Sequence, residues 1–271
     1  MAFVEITPGV LVLRYPVLDV NVSLILGETS AVVVDTLATA AQAKSLVVAV
    51  RAVTTLPLTV VNTHQHFDHC FGNAAFKDCD IWAHELTATP LRDKPEAFVR
   101  RAFDEYGHLP GMEGLADVTI VAPRRLVRDT HWFDIGGRDV VLRYLGRGHT
   151  AGDLVVTVDG TVIAGDLVEA GASPSFEDSF PLEWPETVAA LLDLCGDGPV
   201  VPGHGEVMAS DFVAAQHARL AGLSWMIREG HADGVAASVV VTRAVAEWDL
   251  LTEPEARLAV KRGYEELSGL V

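Results

Sequence analysis

The sequence has few cysteines, no long apolar run and a shortage of basic residues. Its three cysteines, Cys70, Cys79 and Cys195, are too few and odd in number for a disulfide framework. We therefore expect a reducing, cytoplasmic location. No apolar stretch reaches the length of about 18 residues that would span a bilayer, and the start of the chain lacks the basic and apolar blocks of a signal peptide. A membrane association is not expected.

The charge balance is strongly acidic. The chain of 271 residues carries 20 Lys and Arg against 37 Asp and Glu, a formal net charge of -17. Such a surface repels phosphate backbones, so we expect a small-molecule substrate and no nucleic-acid partner. Hydrophobic residues make up 49% of the chain, enough for a sizeable core. With no linker or repeat, a single domain over residues 1–271 is expected, of which about 207–271 form a helical C-terminal extension.

Several catalytic fingerprints are also missing. The sequence contains no P-loop, no G-x-G-x-x-G and no G-x-S-x-G. Nucleotide, dinucleotide and serine-nucleophile chemistry are therefore not indicated. The catalytic groups have to be sought among other residues.

Secondary-structure patterns indicate an α/β fold. An alanine-rich run from Leu37 to about Val53 predicts a helix, and a second helix is expected to begin with Asp93 as N-cap and Pro95 in its first turn. A third is predicted at PETVAALLDLC, and beyond residue 207 the chain is predicted to be helical. Short runs rich in Val, Ile and Leu predict strands: VLVLRYP, NVSLILG, SAVVVDT, LTVVNTH, DIWAH, VTIVAP, RDVVLRYLG, DLVVTVDG, TVIAGDLV and VVPGHG.

The predicted helices carry apolar stripes and one capping signal. Thr252 to Glu255 form a capping-box start. Residues at helical spacing define three stripes: Phe98, Ala102, Phe103 and Tyr106; Val213, Leu220, Leu223 and Ile227; and Val260, Tyr264, Leu267 and Val271.

The stretch NTHQHFDHCFGN, residues 62–73, crowds three histidines and an aspartate into six positions. His64 and His66 follow a predicted strand, where alternation turns both side chains the same way and lets them hold one metal ion. Asp68 and His69 cannot share that direction and are placed to serve an adjacent ion. The motif therefore predicts two neighbouring metal sites.

Three further metal-capable residues come at strand ends downstream. His149 lies in RGHTAGD, Asp166 in TVIAGD and His204 in VVPGHG, where a rigid sheet can aim a loop side chain. The nitrogen and carboxylate ligands suit zinc, and also iron or manganese. Cys70 is expected to pack as a small buried hydrophobe. His84, at the end of DIWAH, is the other histidine in a similar setting.

The ordered motifs H-Q-H-F-D-H, G-H-T-A-G-D, A-G-D and P-G-H-G resemble the metallo-β-lactamase-fold hydrolases, with Asp at 166 placing the chain nearer their glyoxalase II and lactonase side. The resemblance implies an αββα sandwich of two mixed β-sheets flanked by helices. It implies a first metal on His64, His66 and His149. A second is implied on Asp68, His69 and His204, with Asp166 bridging the two. Asp35 is expected to support the loop, and Asp153 to be structural.

The resemblance implies a metal-dependent hydrolase with two divalent ions. Such a centre lowers the pKa of a bridging water to near neutrality and supplies hydroxide, which the catalytic Asp68 would orient. We expect the scissile bond to be ester-like, in a thioester, lactone or ester of a small molecule. An insertion at about residues 85–117 would form a helical cover, and Phe176, Phe180 and Trp184 either contact substrate or pack in the core.

Alternatives remain open at the level of sequence. They are a true β-lactamase, an oxygenase of the persulfide dioxygenase type with a single iron, and a protein that keeps the fold without catalysis. Glyoxalase II itself is disfavoured because Lys261 and Arg262 are the only adjacent basic pair in the C-terminal helices. Those helices could complete the pocket or form a homodimer.

Overall fold

The computed structural model describes residues 2–270. Its α-helices are α1 Ala40–Val53, α2 Phe67–Cys70, α3 Glu85–Asp93, α4 Pro95–Tyr106, α5 Trp184–Leu192, α6 Ser210–Ala232, α7 Ala237–Glu247 and α8 Glu253–Leu267. Short 3-10 helices follow at Phe71–Phe76 and Leu115–Asp117. The strands are β1 Val4–Thr7, β2 Val10–Tyr15, β3 Val20–Leu26, β4 Ala31–Val34, β5 Leu58–Val61, β6 Asp80–His84, β7 Arg125–Val127, β8 Thr130–Asp134, β9 Asp139–Tyr144, β10 Leu154–Val158, β11 Thr161–Glu169 and β12 Val200–His204.

The strands form two layers that meet at one point. Their order is β7-β6-β5-β4-β3-β12-β11-β10-β9-β8, with β2 pairing with β1 and β3 beside this path. The two halves are joined through one residue pair, Val20 and His204. Apolar side chains from both halves pack together between the layers, including Val32 and Val61 from one and Leu142 and Val156 from the other. Both parallel and antiparallel pairs occur, so the predicted class, an αββα sandwich of mixed sheets, is confirmed.

Helices cover the outer face of each layer. Helix α1 begins at the cap Thr39, whose side chain accepts a hydrogen bond from the Gln42 backbone N–H. Its buried Leu46 and Val50 pack on the N-terminal layer. Against the other layer, α5 to α8 pack around a cluster that contains Trp184 and Ile227. None of the described helices combines the length and the apolar content needed to cross a membrane.

The C-terminal stripes are confirmed where the structure describes them. Val213, Leu220, Leu223 and Ile227 are all buried. In α8, Val260 is buried and Tyr264 and Leu267 pack against the same cluster, whereas Val271 lies outside the described residues. The helical portion beyond residue 207 therefore covers the C-terminal layer.

Two sequence predictions about element boundaries are wrong. Residues 118–123, predicted as the strand VTIVAP, are not in a strand, and the strand in this region is the short β7. Asp93 is the last residue of α3 rather than the N-cap of the next helix, because Lys94 is both the C-cap of α3 and the N-cap of α4. Pro95 does occupy the first turn of α4, as predicted.

The capping box before α8 is half formed. The Thr252 hydroxyl accepts from the Glu255 N–H, as predicted. The Glu255 carboxylate does not turn back to the cap, however, because it accepts a hydrogen bond of 2.7 Å from the Phe176 N–H. The residue thus ties α8 to the loop that follows β11.

Candidate metal centre

Seven side chains predicted from the motifs come together at the junction of the two layers. Two groups have donor atoms within 4.8 Å of one another. The first is His64, His66, His149 and Asp166, and the second is Asp68, His69 and His204. The positions follow from the strands: β5 leads into the histidine motif, β11 carries Asp166, and β12 ends at His204.

Asp166 lies between the two groups. Its Oδ2 is 3.6 Å from His64 Nε2, 3.4 Å from His149 Nε2 and 3.3 Å from His204 Nε2. Its Oδ1 is 3.2 Å from His69 Nε2. One carboxylate therefore faces imidazoles of both groups, which is the arrangement expected of a bridging ligand.

Four of the five imidazoles direct one nitrogen outward to an acceptor. His66 Nε2 donates to Asp178 at 2.9 Å, His69 Nδ1 to Asp35 at 2.8 Å, and His204 Nδ1 to the Leu18 carbonyl at 2.7 Å. His64 Nδ1 lies 3.0 Å from the Thr63 hydroxyl, which itself donates to Asp35. An N–H directed outward leaves the other nitrogen, the one that faces the cluster, with a free lone pair.

His149 is the exception. Its Nδ1 has no hydrogen-bond partner among the described residues, and the nearest carboxylate oxygen, Oε1 of Glu169, is 3.7 Å away. The turn that carries His149 is closed by Asp153, which accepts from the Thr150 N–H at 2.8 Å and from the Thr150 hydroxyl at 2.7 Å. Asp153 therefore has the structural place expected from the sequence.

Asp35 anchors the histidine motif from the neighbouring strand. Its carboxylate accepts from the Thr63 N–H and hydroxyl and from His69, each at 2.8 Å. Its φ of 68° lies in the left-handed region, which Asp and Asn enter more readily than most residues. A reciprocal amide pair, Asn62 with Asn73, holds the two ends of the motif together. Asp35 thus supports the loop, as expected.

The electrostatics of the cluster are dominated by buried carboxylates. Burial raises the pKa of Asp166, but the imidazoles of His69, His204 and His64 outweigh it and hold this pKa well below its usual range. Burial lowers the pKa of His204, but Asp166 and then Asp68 raise it to about 10. The carboxylates therefore favour positive charge at His204, whereas burial lowers the pKa of His64 and that of His149.

The donor atoms fit a metal centre. His64 Nε2 and Asp166 Oδ1 are buried and lack a hydrogen-bond partner among the described residues. A buried polar atom without a partner is costly, and a bound cation would offer such atoms a partner. The set is nitrogen and carboxylate oxygen, and Cys70 stands outside it because its thiol is buried and donates to the Gln65 carbonyl.

Gly203 shows how tightly the backbone of β12 passes the cluster. A Cβ at this position would collide with Oδ1 of Asp166. Because Gly203 has no side chain, the Asp166 carboxylate can occupy this space.

A cavity of about 460 Å³ opens onto the cluster. Helix α4, part of the predicted insertion at 85–117, forms one wall through Phe98, Ala102 and Tyr106, whose ring stacks on Phe67. Phe103 lies on the opposite side of the helix and is 46% exposed, so it does not belong to the predicted stripe. Part of the predicted insertion therefore forms a wall of the cavity beside the site.

The three aromatic residues considered as substrate contacts do not line this cavity. Phe176 and Trp184 are fully buried and pack against each other in the core beneath α5. Phe180 is 7% exposed and lies between the guanidinium groups of Arg147 and Arg262. Of the two interpretations, core packing describes their position.

Other residues at the site carry no motif of their own. Asp178, Glu169 and Glu105 contact or line the centre, yet they occur in stretches without a recognisable spacing. Asp178 lies in the loop after β11, for which only the aromatic residues were considered as substrate contacts from the sequence. His84, by contrast, stays apart from the cluster, since it stacks on Tyr144 and Nε2 donates to the Arg128 carbonyl.

Comparison with known proteins decides the family. The family model described as the metallo-beta-lactamase superfamily matches residues 15–204. The chain belongs to this superfamily. Its members are mostly metal-dependent hydrolases, and the His and Asp cluster agrees with divalent metal binding. A search of curated protein sequences gave no match.

Solved structures show the same fold at low identity. A metallo-beta-lactamase from Pontibacter korlensis is 19% identical with a TM-score of 0.64, over 80% of this chain and 97% of the other. The metallo-beta-lactamase DIM-1 is 16% identical with a TM-score of 0.61, over 80% of this chain and 94% of the other. The sec-alkylsulfatase Pisa1 from Pseudomonas sp. is 18% identical with a TM-score of 0.77, over 100% of this chain and 50% of the other. The C-terminal helices are therefore included in the sulfatase likeness.

Proposed function

We propose that this protein is a hydrolase with two metal ions that cleaves an ester-like bond, in a thioester, lactone or ester of a small molecule. The observation that carries the proposal is the position of Asp166 between two groups of inward-facing donor atoms. His64, His66 and His149 would hold one ion, and Asp68, His69 and His204 the other. Zinc suits these ligands best, and iron or manganese would also fit.

The ions, when bound, would supply Lewis acidity and a hydroxide nucleophile at neutral pH. The remaining work falls to the protein. Asp68 lines the cavity with Oδ2 3.4 Å from His204 Nε2, and would accept a hydrogen bond from the hydroxide and orient it. The oxygen of water forms a bond to the acyl carbon. The bond from this carbon to the ester oxygen or thioester sulfur breaks, and the alcohol or thiol leaves after taking up a proton.

A sulfate ester is the second candidate bond. It is favoured by the likeness to the sec-alkylsulfatase, which extends over the whole chain, whereas the metallo-beta-lactamase likenesses cover 80% to 82% of it. A β-lactam and a persulfide, the latter oxidised by an iron centre with oxygen, are the remaining alternatives. We further propose that the protein is cytoplasmic and acts on a small molecule. Pairing of two copies through the C-terminal helices is a separate hypothesis.

The test joins metal analysis with a substrate panel. Purified protein loaded with zinc, iron or manganese would be assayed on a thioester, a lactone, a carboxylic ester, a β-lactam and a secondary alkyl sulfate, with oxygen consumption followed on a persulfide. We expect two ions per chain and turnover of at least one of the first three. One iron per chain with oxygen uptake, or turnover of the sulfate alone, would contradict the proposal.

Variants connect the activity to the cluster. His66→Ala and Asp166→Ala are expected to abolish turnover and to lower the bound metal, while circular dichroism shows a retained fold. Asp193→Asn serves as the control, because this aspartate is exposed at the end of α5. Full activity in either cluster variant would refute a two-metal mechanism.

A further inference from the structure

The charges around the cavity bear on what the site can accept. Outside the metal-facing groups, the acidic residues that line it are Asp19, Glu105, Glu169, Glu177 and Glu255. Among the lining residues, which all fall within the described chain, Arg101 is the sole Lys or Arg. Asp19 is ion-paired with Arg14, which lies outside the lining. The other four acidic residues still outnumber Arg101, so carboxyl groups are in excess around the centre.

The single cation is already engaged. The Arg101 guanidinium donates through Nε to Glu177 Oε1 at 2.7 Å, and its Nη2 lies 2.6 Å from the same oxygen. Its charge is thus neutralised by a carboxylate of the protein. A substrate carboxylate, sulfate or phosphate placed here would have to displace Glu177 before it gained a counter-ion.

Three of the acidic residues, here called the mouth glutamates, are Glu105, Glu177 and Glu255. Burial, and then the neighbouring carboxylates of Glu177 and Glu105, raise the pKa of Glu255, although the Phe176 N–H bound to it acts in the opposite direction. The mouth glutamates therefore influence one another directly, and a further negative charge among them would add to the repulsion.

Apart from Tyr106, Ser173 and Ser175, the rest of the lining is apolar. Phe67, Phe71, Phe98 and Ala102 lie on the side of α2 and α4, and the small residues Ala170, Gly171 and Ala172 lie on the side of the loop after β11. These surfaces can bury a hydrocarbon group and offer it no ionic partner. The wall thus favours an uncharged, apolar substituent.

We propose that the site selects against negative charge on the part of the substrate remote from the scissile bond, and takes an apolar acyl or alkyl group there. This inference rests on the proposed function for its bond type. It follows from three features of the cavity: the apolar walls, the pairing of Arg101 with Glu177, and the further carboxylates of Glu105 and Glu255. It narrows the substrate to esters, thioesters or lactones without an anionic tail.

The experiment compares two substrates that differ in one charge. 4-Nitrophenyl pentanoate and the mono-4-nitrophenyl ester of glutaric acid share leaving group and acyl length, but the second ends in a carboxylate. With metal-loaded protein we expect kcat/KM to be lower for the glutarate by about tenfold, the low end of the range for electrostatic steering. The difference between the two kcat/KM values should shrink as salt is raised, since exposed charges are screened.

Variants test the origin of the ratio. Glu177→Gln releases Arg101, and Glu105→Gln removes one mouth charge; each should raise the glutarate-to-pentanoate ratio by about threefold or more. Asp104→Asn is the matched control, because this residue neighbours Glu105 on α4 but does not line the cavity. It should leave the ratio unaltered.

Binding without turnover separates the two proposals. N-benzylpentanamide and the N-benzyl monoamide of glutaric acid would be titrated into the protein by calorimetry, with the neutral amide expected to bind more tightly. If neither ester is hydrolysed but the neutral amide binds better, the bond type is wrong and the charge selection stands. Equal or tighter binding of the glutarate amide, or equal kcat/KM for the two esters, would overturn the charge selection.

Discussion

Oδ1 of Asp178 lies 2.9 Å from Nε2 of His66, so a hydrogen bond joins the loop after β11 to the histidine motif after β5. The same carboxylate accepts from the Gln65 side chain at 3.1 Å through Oδ2. Burial lowers the pKa of His66, but Asp178 outweighs it and raises this pKa to about 9. Asp178 therefore fixes the ring with Nδ1 directed at the cluster, 2.9 Å from His149 Nε2.

Removing this carboxylate should weaken metal binding without unfolding the protein. Asp178→Ala frees the His66 ring to rotate, and we expect metal affinity to fall by about tenfold to 100-fold. Asp178→Asn keeps an acceptor oxygen, so its metal affinity should lie between that of the wild type and that of the alanine variant. Competition with a chelator would measure the affinities. Unchanged affinity in Asp178→Ala would show that His66 does not need this partner.

Asp35 is expected to matter for stability as well as for metal binding. Asp35→Asn suits the left-handed backbone but replaces an acceptor oxygen with an amide donor, against the three donors that Thr63 and His69 direct at it. A buried donor left without an acceptor costs about 1–3 kcal/mol. Urea unfolding of the metal-free protein should show a loss of this size. Asp193→Asn, at an exposed position, should stay within about 0.5 kcal/mol of the wild type.

The glycine beside Asp166 offers a test of close packing. In Gly203→Ala the new methyl would have to displace the Asp166 carboxylate, so we expect lower metal content and lower affinity. Gly222→Ala in α6 is the control, because a Cβ there meets nothing within 4 Å. That change should stabilise the helix by up to about 1 kcal/mol. Wild-type metal content in Gly203→Ala would mean that Asp166 can move freely.

Glu266 predicts a pH dependence of stability remote from the metal centre. Burial raises the pKa of this carboxyl from 4.5 to about 7, although the Leu182 N–H donates to it. Between these two values the folded protein holds a proton that the unfolded chain has lost. Stability therefore falls as the pH rises through this window, and the penalty is complete above about pH 7.

Glu266→Gln should remove this dependence, because glutamine carries no proton to lose and can still accept from Leu182. We expect the Tm of the variant minus that of the wild type to increase between pH 4 and pH 8, with most of the increase between pH 5 and pH 7. Thermal unfolding in matched buffers would measure the difference. Glu186→Gln, at an exposed position of α5, should show a constant difference; a constant difference for Glu266→Gln would contradict the prediction.

The sequence by itself determined the class of fold and which metal-capable residues lie at the ends of strands. Metal-capable residues recur at fixed spacing where strands end, and strand geometry is local, so His64, His66 and Asp166 could be placed from the pattern of apolar segments alone. The same local rules gave the helices α1, α5 and α6 and the Thr252 cap. Asp93 and residues 118–123 were misplaced because turn and strand signals there are weak and tertiary contacts decide them.

Only the tertiary structure decided the surroundings of the centre. Asp178 reaches His66 across 112 residues of sequence, and Glu255 leaves its own cap for the Phe176 N–H 79 residues away. No local pattern specifies such pairs, since they depend on how the layers and the C-terminal helices pack. The same packing buries Phe176 and Trp184 and turns the mouth glutamates to the cavity. The candidate metal-binding residues follow from short-range spacing, whereas the charge and shape of the cavity beside them follow from long-range contacts.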